Sequence, residues 1–219
     1  MQPCPRRIRA LRGGETVLDT VGAEYVWEVP HYPAYYVPVE DVDPTILALE
    51  STQTFEVGPF AGLAHVDWNA VDSWFEEDEE VFGGHPRSPY ARVDAIRSSR
   101  HIRVELDGVV LAESAAPVLL FETGLPNRHY IQRTDVFFAH LERSHTVTLC
   151  PYKGTTSDYW SARVAGALHR DIAWSYAYPQ VAVAGIAGLV AFYDELVDTF
   201  LDGVPVARPR TKFHGEEES

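Results

Sequence analysis

Cysteine is scarce in this chain of 219 residues: Cys4 and Cys150 are its two thiols, and each precedes a proline. Two cysteines exclude a disulfide framework and a four-cysteine zinc site. Long apolar runs are missing as well; no segment approaches the roughly 18 consecutive apolar residues of a membrane-spanning helix. The opening Met1-Gln2-Pro3-Cys4-Pro5-Arg6-Arg7 has no apolar stretch behind its arginines, so no secretory signal is expected, and a reducing cytoplasmic setting is. Positive charge is the third shortage, with 18 Lys+Arg against 32 Asp+Glu and a formal net charge of −14. Such a balance repels phosphate backbones and argues against a nucleic-acid partner. The histidines show no paired metal spacing on one element, so neither a metal nor a cofactor is expected.

What is present is the composition of a globular protein, 46% hydrophobic and 23% charged. The length suits one large domain or two of about 100 residues. An internal duplication decides for two. Arg7-Ile8-Arg9 answers His101-Ile102-Arg103, Gly14 answers Gly108, and Val17-Leu18-Asp19 answers Leu111-Ala112-Glu113. Trp27-Glu28, Tyr36 and Asp41-Val42 answer Phe121-Glu122, Tyr130 and Asp135-Val136 in the same order. Further on, Gly58–Gly62 aligns with Cys150–Gly154, and Trp68 with Trp160, as though the second copy had lost two residues after Val42. The seam is expected near Asp94–Arg100, giving a first, degenerate repeat over 1–96, a second over 97–207, and a tail over 208–219 that is disordered from His214 onward.

Each copy reads as short strands. Asp107-Gly108 between two alternating runs is a hairpin turn, and Val118–Glu122 is a further strand. Thr146–Cys150 and Tyr159–Val164 read as strands on either side of a Pro-Tyr-Lys-Gly turn. Val181–Ala191 reads as a short packed helix, and Asp202-Gly203 as the turn of a final ribbon. The acidic run Glu76–Glu80 between aromatics reads as a solvated helix face, because a cation loop needs spaced ligands and a turn glycine.

Assembled, these residues resemble a bacterial family known as domain of unknown function 427, here in tandem. The resemblance rests on Cys150-Pro151-Tyr152-Lys153-Gly154 with Tyr159-Trp160, on Leu111–Ser114, on Tyr130 with Asp135-Val136, on Trp174-Ser175-Tyr176 with Pro179, and on Ala191-Phe192-Tyr193. It implies a mostly-β fold, two small domains similar to the β-tent with a short helix each. The second copy carries Gln132-Arg133 where the family usually has a proline. A nucleotidyltransferase label is sometimes attached to the family, but the chain has no glycine-rich phosphate cradle and no aspartate pair spaced for two metals.

The candidate chemistry gathers in the second copy. Cys150 is a nucleophile if an ammonium such as Lys153 favours its thiolate, and a small buried hydrophobe otherwise. Lys153, on a turn ending in Gly154, suits the holding of a carboxylate or phosphate. Glu113 is the candidate acid or base, although its recurrence as Asp19 also fits a structural carboxylate. Tyr130, Tyr152, Tyr159, Trp174 and Tyr176, with Arg128 and Gly154, are the candidate ligand contacts, apolar bodies with polar tips. The expected function is binding of, or action on, a small anionic, partly apolar molecule; the rival class is a non-catalytic interaction or scaffold module.

Overall fold

The computed structural model describes residues 1–211, and the tail expected to be disordered from His214 onward lies outside them. The chain forms two compact units, Met1–Ala91 and a second from Arg92 onward. Both are mostly β, in agreement with the strand reading. Among the described residues no helix is long and apolar enough to cross a membrane.

The first unit runs β1 (Gln2–Pro3), β2 (Ile8–Arg12), β3 (Glu15–Thr20), β4 (Glu24–Val29), β5 (Tyr32–Pro38), α1 (Pro44–Leu47), β6 (Thr52–Thr54), β7 (Leu63–Val66), β8 (Ser73–Glu76) and β9 (Glu79–Glu80). Its two antiparallel sheets have the orders β1-β4-β5-β7-β6 and β3-β2-β8-β9. Strand alternation sends Ile8, Ala10, Leu18, Tyr25, Tyr35 and Trp74 into one core. Each such large side chain contributes roughly 1.5–3 kcal/mol by leaving water.

The second unit runs β10 (Val93–Arg97), β11 (Ile102–Leu106), β12 (Val109–Ser114), β13 (Val118–Glu122), β14 (Arg128–Tyr130), β15 (Leu141–Ser144), β16 (Leu149–Cys150), β17 (Gly154–Thr155), β18 (Asp158–Val164), β19 (Ala167–Ser175), β20 (Val190–Phe192), β21 (Asp198–Leu201) and β22 (Val204–Val206). Its sheets have the orders β10-β13-β14, β12-β11-β21-β22, β15-β18-β19-β20 and β16-β17. An Ile131–Val190 bridge ties the first of these to the third. Strand β19 separates two cores: Ala173 packs with Ile131 and Trp160, while Trp174 packs with Tyr130, Tyr159 and Tyr176.

Strand registers show what the two units share. Up to Val42 the offset is 94 residues throughout: Ile8 pairs Thr20 as Ile102 pairs Ser114, and Glu24 pairs Tyr36 as Val118 pairs Tyr130. Thr20 donates to Asp41 as Ser114 donates to Asp135, both at 2.6 Å. The Leu18–Val42 bridge recurs as Ala112–Val136. Even β1 recurs, because Gln2–Tyr25 corresponds to Ile96–Leu119 on β10. The segment expected to be a seam is therefore the opening strand of the second unit, and the boundary falls at Ala91/Arg92 rather than 96/97.

Past Val42 the pairing read from sequence is wrong. Ala64 of β7 faces Val37, and its counterpart facing Ile131 is Val190. Thr52–Val66 on β6–β7 recurs as Ala173–Phe192 on β19–β20, and Ser73–Leu11 recurs as Asp198–Glu105 on β21–β11. The path from Val42 to Thr52 is thus 27 residues shorter than that from Val136 to Ala173. The first unit lacks β15 to β18 and most of β19. Gly62 corresponds to Gly188, each at positive φ and each donating to an aromatic residue's carbonyl, Phe55 or Tyr176, at 2.8 Å. Cys150–Gly154 has no counterpart, and the counterpart of Trp68 is Asp194, not Trp160. Tight turns need glycine in any context, so the turn match was a coincidence of turn chemistry.

Three local expectations also change. Glu76–Glu80 is a hairpin turning at Glu77 (φ 53°), not a helix. Val181–Ile186 is a 3-10 segment broken at Val183, followed by β20, because Gly188 at φ 72° ends it and redirects the chain. Only Leu149–Cys150 of the Thr146–Cys150 run pairs as strand; Thr148 instead donates its N–H to the Thr156 hydroxyl at 2.8 Å.

Candidate functional site

The β16–β17 hairpin has Pro151, Tyr152 and Lys153 at its tip, and Gly154 supplies the φ of 96° that closes it. Its backbone is fixed from the far side, where Gln180 donates its N–H to the Lys153 carbonyl at 3.0 Å. Lys153 therefore turns inward, and its ammonium is hydrogen-bonded to Glu122 at the end of β13. The two side chains are 12% and 8% exposed, so this is an interior ion pair. Burial works against the charged ammonium, but the fields of Cys150, Glu122 and Tyr130 and the Glu122 hydrogen bond outweigh it and push the Lys153 pKa above its ordinary value.

Around that pair stand three groups. Cys150 is half-buried, a free thiol whose field Lys153 feels. Tyr130 is fully buried; burial pushes its hydroxyl well above the ordinary range, and Lys153 counters this only in part. Tyr176 is pushed up by burial and by its neighbours Tyr130 and Cys150.

Behind them lies an aromatic layer. Trp174 donates its indole N–H to the Tyr130 hydroxyl at 3.2 Å and packs on Tyr193 with ring centroids 4.3 Å apart. Tyr159 bridges Tyr193 at 2.9 Å and Thr148 at 3.0 Å through its hydroxyl. Arg128 covers Trp174 and Tyr193 at 5.7 and 5.5 Å and forks onto Glu195 at 2.6 and 2.7 Å. Asp194 completes this buried group, 3.4 Å from Arg128 and accepting from Thr199 at 2.6 Å.

Of the residues singled out from sequence, Cys150, Lys153, Tyr130 and Tyr176 come together, and Trp174, Tyr159 and Arg128 form the layer behind. Tyr152 sits half-buried at the hairpin tip, and Gly154 is buried against the Tyr178 carbonyl, with its hypothetical Cβ 3.7 Å away. Glu113 stands apart on an exposed face of β12, 3.0 Å from His101. The carboxylate at the ammonium is Glu122 instead, which the residue-by-residue reading passed over. Its signal was present in the duplication, since Glu28 stands to Tyr36 as Glu122 stands to Tyr130. Tyr193, Asp194 and Glu195 were also missed as site residues. Among the described residues no group of His, Cys, Asp or Glu is arranged to hold a metal ion.

A family profile described as a domain of unknown function (DUF427) matches residues 1–75 and 94–203. The chain belongs to that family. The two matched stretches differ in length as the two units do, the shorter one lacking the segment that carries the β16–β17 hairpin. No curated protein matches the chain.

Proposed function

We propose that the second unit binds a small anionic, partly apolar molecule at the β16–β17 hairpin, with Lys153 as its charge partner and Cys150 as the accessible reactive atom. One observation carries this reading. An ammonium has three N–H donors, yet Glu122 is the one hydrogen-bond acceptor of Lys153 among the described residues. A carboxylate or phosphate oxygen arriving from the Cys150 side supplies the acceptor that the buried ammonium lacks. Tyr152, half-buried at the hairpin tip, provides apolar surface for the rest of the molecule. Two free thiols suit a reducing, cytoplasmic setting.

A second reading, a non-catalytic interaction module, is favoured by Tyr178 and Val181. They stand 94% and 90% exposed on the loop that braces the hairpin. Thermal unfolding with matched pairs of aryl or alkyl carboxylates and their neutral amides separates the readings. The anion-binding reading expects a rise in midpoint with a carboxylate, none with its amide, and no rise in Lys153→Met. Equal effects of acid and amide, or an undiminished rise in Lys153→Met, would overturn it.

A further inference from the structure

The two units place the same pair of groups, a glutamate and a tyrosine, at the same site in the sheet, and only one unit fills that site with a cation. In the second unit the glutamate is Glu122, the tyrosine is Tyr130, and the cation is the Lys153 ammonium. There Trp174 donates to the Tyr130 hydroxyl, and Glu122 accepts from Lys153. The 94-residue offset makes Glu28 the counterpart of Glu122 and Tyr36 the counterpart of Tyr130. Gln53 takes the strand position of Trp174, and the Tyr36 hydroxyl donates to Glu28.

The first unit has no cation of its own for this place. It lacks the hairpin that delivers Lys153, and no lysine precedes residue 153 anywhere in the chain. Glu28 has no ion-pair partner among the described residues, while Arg6, Arg7, Arg9 and Arg87 are committed to Glu76, Asp19, Asp78 and Glu76. What the first unit has instead is additional aromatic surface. Tyr36 is flanked by Phe55, Phe60 and His65 at centroid distances of 5.4, 4.8 and 5.1 Å. The His65 ring lies parallel to Tyr36, with an interplanar angle of 1°. Phe55, Phe60 and His65 are all partly exposed, and Glu28 is exposed. Aromatic rings grouped beside a carboxylate form a receptor for organic cations, by quadrupole attraction and by a charge-assisted hydrogen bond.

We infer that the first unit is a binding site for an alkylammonium group, held by Glu28 and the Tyr36 cluster at the place where the second unit holds its own Lys153. The bound group is a primary ammonium on an alkyl chain, either a free small amine or a lysine side chain from another protein. The second unit shows the geometry with the cation in place; the first exposes the glutamate and the edges of Phe55, Phe60 and His65, with Tyr36 buried among them. This inference is independent of anion binding at Lys153, since its residues belong to the other unit.

The test uses the full chain and n-butylammonium chloride, with n-butanol as the neutral isostere, followed by the aromatic NMR signals of His65 and Tyr36. The expected result is a saturable shift of both signals by butylammonium, none by butanol, and at least a tenfold weaker affinity in Glu28→Gln. Glu28 is exposed, so that variant keeps its fold; Phe60→Leu is the second variant and weakens binding without touching the charge. Nα-Acetyl-lysine methylamide separates the sources. Tighter binding than butylammonium assigns a lysine side chain, and weaker binding assigns a free amine. No saturable shift in the wild type, equal shifts by butanol, or equal affinity in Glu28→Gln would overturn the inference.

Discussion

The Lys153 ammonium and the Glu122 carboxylate form an ion pair withdrawn from water on both sides, with the side chains 12% and 8% exposed. Such a pair gains little net stability from its own attraction, because both charges were desolvated to make it. Breaking it is another matter. Lys153→Met leaves an uncompensated buried carboxylate and is expected to cost the second unit about 3–5 kcal/mol in urea unfolding. Replacing both residues, as in Lys153→Met with Glu122→Leu, is expected to recover most of that loss. A single variant costing no more than the double one contradicts an interior pair.

Alkaline pH probes Lys153 together with the buried hydroxyls of both units. The Lys153 pKa is raised on folding, and so are those of Tyr25, Tyr35, Tyr36, Tyr130, Tyr176 and Tyr193, led in the tyrosines by burial. Each raised group holds its proton in the folded state after the unfolded chain has released it. Its stabilising contribution is therefore complete below the unfolded pKa, near 10.0 for tyrosine and 10.5 for lysine, and is lost as pH rises above that. Tyrosinate absorbance is expected to rise in two stages, exposed tyrosines first and the buried set together with loss of circular dichroism. A single smooth titration, with the fold intact throughout, contradicts this.

Arg128 forks onto Glu195 and stacks on two rings, so charge alone does not replace it. Arg128→Met strands two buried carboxylates and is expected to cost about 3–5 kcal/mol. Arg128→Lys keeps the charge but loses the fork and the stacking, and is expected to cost about 1–3 kcal/mol. No cost for Arg128→Lys would show that the planar guanidinium contributes nothing beyond its charge.

Thr20–Asp41 and Ser114–Asp135 are the same clamp in two units. In each, the hydroxyl also accepts a backbone N–H two residues on, from Gly22 at 2.9 Å and from Ala116 at 3.2 Å. Thr20→Ala and Ser114→Ala are each expected to cost about 1 kcal/mol in the unit that carries them. Urea titration followed by a tryptophan of each unit measures both. A cost in one unit and none in the other contradicts the equivalence.

The sequence carried the fold well where hydrogen-bond pattern and side-chain pattern coincide. Asp107-Gly108, Val118–Glu122 and Asp202-Gly203 were readable because turn chemistry and alternation mark them locally. The duplication was readable up to Val42 for the same reason. Beyond it, the 27-residue difference in path length broke the alignment, and a glycine-aromatic turn supplied a false match. Cys150 and Lys153 still stand apart from the first unit, but because their whole hairpin is absent there, not because two side chains were lost. Glu122 was overlooked because nothing local marks it. Its role comes from a lysine 31 residues further along the chain, a contact that no periodicity encodes. Glu113, singled out as a candidate acid or base, lies instead on an exposed face beside His101, because burial and distance are not written in its local sequence.

On the proposed reading, Lys153 presents positive charge to an anion arriving beside Cys150. Alkylation of Cys150 by iodoacetate relative to iodoacetamide measures this directly, because the two reagents differ in charge and share a mechanism. Cys4, buried at 3% exposure, is told apart by peptide mapping. The account predicts the iodoacetate preference to fall about fivefold from wild type to Lys153→Met, the effect of a nearby charge worth about 1 kcal/mol. It also predicts that the preference rises in Glu122→Gln, where the ammonium loses its counter-charge. The same preference in all three folded proteins would contradict it.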